Sequence, residues 1–539
     1  MGLRDIDSKF IACKLLRNRN ILLFCLFVFL TLLYFYSLNS LMYSDTDTSG
    51  YLVVANSLFE GNGYRDIASP NNYIESLSLP VYPIFLSISF LFDNYFFVAR
   101  VITVLFSLFL VLVSYLIIKE YFDNFTSLLI TALVALSPMV IIYTRKILTE
   151  IPFAFLSLIC IYFFYIYFKE KNVLYGIFAY IFLLFAVFTK LSGLFLILSL
   201  LVYFIIKKHY KHIFFIIVVT AVFVLFLYSI NYAPFFPTEH TSFNVFKFED
   251  IQQIYDLPDF LSKDFSYNHP ILFFFFVHII LGIQNLVNYF IGPIPKNLVP
   301  ISHYFFNVIK INSSFVSIFY SLLRGLFSLI AFIGFYCCMG KIIIKKISLF
   351  EVYVFVFSLC ILTAHRITGN GRYMLPVLLF FIIYFVIGLS ALFNYLVNKG
   401  LFSYNIKKKI LVFLLFFLLF GSFLGALGLA YTNHNRTYPE NWQSFLEVSE
   451  WVLENTNDEG IIITYWDHKM YLATGRKVIG IWELDQVEDS SHYYLVFFED
   501  KEEDQAVIEY LVQRNFNINL LFNESDINVY YVNGGSENV

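Results

Sequence analysis

Apolar positions along this chain fall into long unbroken blocks, not into the stripes of a soluble domain. The blocks cover residues 21–43, 98–118, 127–143, 151–168, 173–188, 191–206, 213–232, 316–340, 348–365, 374–397 and 410–431. A helix that is apolar on every face needs surroundings as apolar as itself, and a straight bilayer crossing takes about 20 such residues. A multi-span α-helical membrane protein with about eleven transmembrane helices is therefore predicted. Blocks 173–188 and 191–206 form one stretch broken by "TKLSG", too long for a single crossing. They are read as two short helices with Lys190 at their shared tip. The short block 79–92, "LPVYPIFLSISFLF", reads as an interfacial helix.

The pattern changes after residue 431. "ENWQSFLEVSEWVLENT" has a helical period, and "KEEDQAVIEYLVQRN" reads as a second helix. "GIIITYW", "KVIGIW", "YYLVFF", "NINLLF" and "NVYYV" read as strands. The chain thus divides into a membrane domain, 1–431, and a small soluble α/β domain, 432–539.

Basic residues orient the membrane domain. Lys9, Lys14, Arg17, Lys119, Lys169, Lys207, Lys341, Lys399 and Lys407 fall on one side, which is cytoplasmic by the positive-inside rule. The N-terminus then lies in the cytoplasm of a cell-membrane protein. The first outer loop (44–97), the long outer loop (233–315) and the C-terminal domain lie outside. This parity requires "PILFFFFVHIILGIQNLVNYFIG" (270–292) to be re-entrant or interfacial.

Composition agrees: 59% of residues are hydrophobic and 14% charged, against roughly a quarter charged in soluble domains. A net charge of −3 points to no nucleic-acid partner. The cysteines show no zinc spacing. The first apolar block is too long for a cleavable signal peptide, and no small-residue cleavage site follows it.

The orientation gathers unusual polar residues at the outer face. Asp45 and Asp47 follow the first span. Arg145, Lys146 and Glu150 lie in "TRKILTEIPFAFL", Lys190 at the hairpin tip, and His365, Arg366 and Arg372 in "AHRITGNGRYMLP". Singly, such residues are caps, snorkelling anchors or headgroup contacts. Together they bring carboxylates and cations from four loops to one membrane surface.

The series "DTSGYLVVANSLFEGNGY", "LPVYP", "LSPMVIIYTRKILTEIPFAFL", "FTKLSG" and "GRYMLP" resembles, in that order, the GT-C superfamily of polyprenyl-phosphate-sugar-dependent glycosyltransferases. Within it the chain is similar to the protein O-mannosyltransferase and lipid A aminoarabinose transferase group. The resemblance implies a GT-C-like transmembrane catalytic domain. In that family the catalytic carboxylate stands four residues before a Tyr; Tyr51 makes this Asp47. The family's second acidic residue falls on Glu150, expected to be catalytic together with Asp47, the "TK" lysine on Lys190 and the "RY" arginine on Arg372, beside Tyr373. Lys190, Arg372 and Arg366 are the expected donor-phosphate ligands. Asp45, Tyr51, Glu75, His365 and Tyr373 are further substrate-binding candidates. Before the proline-rich segment the family carries charged groups that here reduce to Glu75.

The implied reaction moves a sugar from a dolichyl- or undecaprenyl-phosphate donor to an acceptor hydroxyl on protein, lipid or glycan. The donor's tail must stay in lipid and its phosphate at the surface. Charges at the bilayer centre would cost about 2.5–3.5 kcal/mol each even on the milder insertion scale, so the charged site belongs at the interface. No cofactor is required by this chemistry. "DTD" also matches the triplet that holds a divalent cation in other glycosyltransferases, and metal binding stays open. Two alternatives remain. One is an oligosaccharyltransferase-like enzyme, suggested by "TYWDHKMYLATGR", where Trp466 and Asp467 match part of an acceptor motif. The other is a transporter or flippase of lipid-linked sugars.

Overall fold

The computed structural model describes residues 19–39, 41–42, 46–74, 78–230, 326–338, 348–364, 371–401, 403–487, 492–498, 502–524 and 527–534. The whole outer loop 233–315, with the proposed re-entrant segment 270–292, lies outside them. The chain forms two compact units. One comprises the described residues up to 39, 100–225 and those from 326 to 435; the other comprises those of 41–99, 226–230 and 436–534.

The first unit is helical. Its elements are α1 (Arg19–Tyr36), then, past α2 and α3 of the other unit, α4 (Tyr95–Ile118), α5 (Asn124–Ala135), α6 (Pro138–Thr144), α7 (Glu150–Glu170), α8 (Val173–Val187), α9 (Gly193–Ile206) and α10 (Tyr210–Ser229). It continues with α11 (Leu326–Cys338), α12 (Leu349–Ala364), α13 (Leu375–Asn398) and α14 (Tyr404–His434). Each of the eleven apolar blocks contains a helix. Among the described residues five helices are long and apolar enough to cross a membrane, or six spans if α5 and α6, bent by 56° at their junction, make one. The breaks have local causes. Ser137 caps α6 and Pro138 begins it, so the α5 ladder cannot run on. Lys171 takes a left-handed conformation (φ 57°) and Asn172 caps α8, turning the chain back at once. Phe214, Ile217, Leu225, Phe413 and Phe420 stand exposed on α10 and α14. Apolar surface on that scale calls for lipid.

The second unit contains α2 (Thr46–Phe59), a short helix α3 (Val81–Ser87) that tightens to a 3₁₀ turn at Ile88–Leu91, and the C-terminal elements. The latter are α15 (Glu440–Asn455), β1 (Ile461–Thr464), α16 (Asp467–Thr474), β2 (Val478–Gly480), β3 (His492–Phe498), α17 (Glu502–Gln513), β4 (Phe516–Glu524) and β5 (Ile527–Gly534). The five strands make one sheet in the order β2-β1-β3-β5-β4, parallel among β2, β1 and β3 and antiparallel beyond. Strand alternation splits its core in two. Ile462, Val496 and Val529 pack with Phe445 and Val452 of α15, and Ile463, Leu495 and Val532 with Val507 and Leu511 of α17.

The strands and both long helices of this tail match the sequence reading. Helix α16 is not among the elements expected from the sequence: β1 ends at Thr464, and Asp467 opens a helix.

Candidate functional site

Four of the expected residues meet inside the helical unit. Glu150 is the first residue of α7, where the helix dipole favours a carboxylate. Its side chain is buried, with 3% exposure. Oε1 accepts a hydrogen bond from Lys190 Nζ at 2.8 Å and lies 3.4 Å from Arg372 Nε. Oε2 has no hydrogen-bond partner among the described residues.

Local structure explains how three distant segments converge. Lys190 sits in the turn between α8 and α9, which closes through Gly193 N–H donating to Lys190 O at 2.8 Å. A Cβ at Gly193 would stand 2.6 Å from Val187 Cα, so the turn can be this tight only with glycine. Arg372 lies in a 3₁₀ turn, Gly371–Met374, and Pro376 in the first turn of α13 fixes the helix start behind it. Thr144, at the end of α6, bonds Ser107 on α4 at 2.8 Å, holding the segment that leads to Glu150.

Tyr373 completes the cluster. Lys190 Nζ lies 4.8 Å and the Arg372 guanidinium carbon 5.2 Å from its ring centroid, and Arg372 Nη2 donates to its hydroxyl at 3.2 Å. Two cations therefore share one carboxylate and one ring. Two cations beside one carboxylate make a setting that suits an anionic oxygen group.

Asp47 and Tyr51 belong to the other unit. Asp47 is exposed in the first turn of α2, and Tyr51 follows one turn later on the same helical face. The Tyr51 ring meets Tyr82 edge-on at 5.8 Å between centroids. Asp45, Glu75, His365 and Arg366 lie outside the described residues. Among the described residues no group of three His, Cys, Asp or Glu is placed to hold a metal ion.

Sequence reasoning missed how the first outer loop joins the tail. Val53, Ile67 and Ala68 pack against Tyr471 and Leu472. Val478 N–H donates to Ala68 O at 2.8 Å, and Lys477 Nζ donates to Ile67 O at 2.7 Å and Asn72 Oδ1 at 2.6 Å. His468 Nε2 lies 2.9 Å from Asp66 Oδ2 across 402 residues of sequence. Burial works to raise the Asp66 pKa, but the hydrogen bond and charge of His468, with the Ala68 and Ser69 N–H groups, hold it below the usual value. Burial raises that of Asp467, on the other side of the imidazole, and His468 offsets only part of this. The signal was present in "RDI" and "WDHK", but nothing in either says that the two segments touch.

Residues 78–232 match the family of dolichyl-phosphate-mannose-protein mannosyltransferases. The fold is similar to that of ArnT from Cupriavidus metallidurans in the apo state, with a TM-score of 0.53 at 12% identity over 94% of this chain and 97% of that one. The same values hold for the structure of that ArnT bound to undecaprenyl phosphate. No curated protein matches the chain in sequence. The two similarities bear out the resemblance to GT-C glycosyltransferases read from the motifs.

Proposed function

We propose that the protein is an integral-membrane glycosyltransferase that moves a sugar from a polyprenyl-phosphate donor to an acceptor hydroxyl at the outer membrane face. The observation that carries this reading is the convergence of Lys190 and Arg372 on buried Glu150. A lone carboxylate there would be neutralised by one cation; the second leaves charge for a phosphate. Undecaprenyl phosphate, seen in the similar ArnT structure, has the chemistry such a cluster would grip.

In this reading Asp47 is the general base. It takes the proton of the acceptor hydroxyl as that oxygen bonds to the anomeric carbon. The bond from that carbon to the phosphate oxygen breaks, and polyprenyl phosphate leaves with the bonding pair. Lys190 and Arg372, joined by Arg366, stabilise the charge that grows on the phosphate. Glu150 keeps the two cations in register. One base and no second nucleophilic carboxylate imply inversion at the anomeric carbon. The displacement calls for no cofactor, and transfer assayed in EDTA tests whether "DTD" nonetheless needs a cation.

The reading takes all eleven apolar blocks as crossings, the N-terminus as cytoplasmic, and the α/β tail as extracytoplasmic. Incubating purified protein with polyprenyl-phosphate sugars and following loss of donor tests it: turnover supports an enzyme, and transport of intact donor without cleavage contradicts it.

A further inference from the structure

The "WDHK" turn of the tail is pinned on one side and presented on the other. Trp466 stacks on Phe498 with centroids 5.0 Å apart, and Lys469 Nζ lies 4.3 Å from the Trp466 centroid and 5.4 Å from that of Trp442. Those contacts fix the start of α16 against the tail's own core. His468, between Trp466 and Lys469 in sequence, faces the first outer loop instead.

Two carboxylates flank its imidazole. Nε2 meets Asp66 Oδ2 at 2.9 Å, and Asp66 Oδ1 is itself held by Ala68 N–H at 3.0 Å. Asp467 Oδ1 accepts the His468 backbone N–H at 2.7 Å and lies 3.7 Å from Nδ1. The ring edge faces α2 at Gly50: a Cβ added there would stand 3.7 Å from Nδ1 and 3.9 Å from Cε1, ordinary contact distances, so the gap holds one methyl group and little more. Gly50 is three residues after Asp47, one helical turn away on the same face. The first turn of a helix has orphan backbone donors and frays most readily. An imidazole facing Gly50 across a methyl-sized gap bounds that movement next to the carboxylate whose direction matters.

We propose that His468 is a positioning residue for Asp47: the Asp66–His468 pair lets the C-terminal domain hold the first turn of α2 in place. The inference rests on the reading of Asp47 as the base. It assigns the tail a part in turnover and none in gripping donor, because the proposed phosphate ligands belong to the other unit.

The test uses the full-length protein and whichever undecaprenyl-phosphate donor, linked to mannose, glucose or 4-aminoarabinose, the wild type consumes fastest. His468→Ala is expected to lower kcat by on the order of tenfold to a hundredfold, the scale of a misplaced catalytic group, with donor KM within about twofold. His468→Gln, whose amide nitrogen can reach Asp66 in place of Nε2, is expected to recover most of the loss. A kcat near wild type in His468→Ala overturns the proposal, as does a loss that appears in KM or that Gln does not rescue. Should His468→Ala melt well below the wild type, Gly50→Leu, which pushes the ring off α2, carries the test with the same expected kcat loss; unchanged kcat there overturns the proposal. An Asp47→Asn variant separates the two claims. If it is inactive while His468→Ala and Gly50→Leu turn over normally, this inference alone fails; if it is active, the reading of Asp47 fails.

Discussion

Lys190 Nζ lies 2.8 Å from Glu150 Oε1 although 40 residues separate them, and the carboxylate is buried at 3% exposure. Leaving either charge alone there is costly, because breaking a buried pair by removing one partner typically costs about 3–5 kcal/mol. Glu150→Gln and Lys190→Met are each expected to lower the thermal midpoint of the purified protein. The double variant should lose less than the sum of the two, since neither charge is then orphaned. Additive losses would mean that the two side chains are not coupled.

Gly193 is the structural condition for that pair. Gly193→Val would drive a side chain into the Val187 backbone, and small-to-large changes in packed sites typically cost about 1–3 kcal/mol. The expected result is weaker binding of undecaprenyl phosphate, because the displaced turn carries Lys190. Wild-type affinity for that lipid in a folded Gly193→Val protein would show that the turn does not set the lysine.

Asp66 and Asp467 should respond to pH with opposite signs. The folded protein holds Asp66 below the ordinary value of 3.8, so its stabilisation is present above that value and is lost as pH falls through the lower one. Asp66→Asn should therefore melt below wild type at neutral pH, with the gap closing in acid. Asp467 is raised, so ionising it costs stability as pH rises from 3.8 through its folded value. Asp467→Asn should melt at or above wild type at neutral pH. Thermal midpoints of both variants across pH 3–7 check the pair; shifts of the same sign at neutral pH would contradict it.

Much of this architecture was legible because the signals were local. Uniform apolarity marks the helices, "TKLSG" marks the tip that carries Lys190, and short runs of β-branched, aromatic and other apolar residues mark β1 to β5. Glu150, Lys190, Arg372 and Tyr373 were reached through motif resemblance, and the structure brings those four together. Span lengths were less legible: hydropathy continues across Ser137–Pro138, where a cap and a proline start a new helix. The docking of Asp66 on His468 and of Ala68 on Val478 was invisible. It joins segments about 400 residues apart through short polar contacts that have no periodicity of their own.

The central claim is a division of labour: Lys190 and Arg372 hold the donor phosphate, and Asp47 takes the acceptor's proton. The most direct test measures undecaprenyl-phosphate binding and sugar transfer side by side in Asp47→Asn and in the Lys190→Ala/Arg372→Ala double variant. The account predicts that Asp47→Asn binds the lipid as wild type does and transfers nothing, while the double variant loses binding and transfer together. Transfer by Asp47→Asn, or full lipid affinity in the double variant, would contradict it.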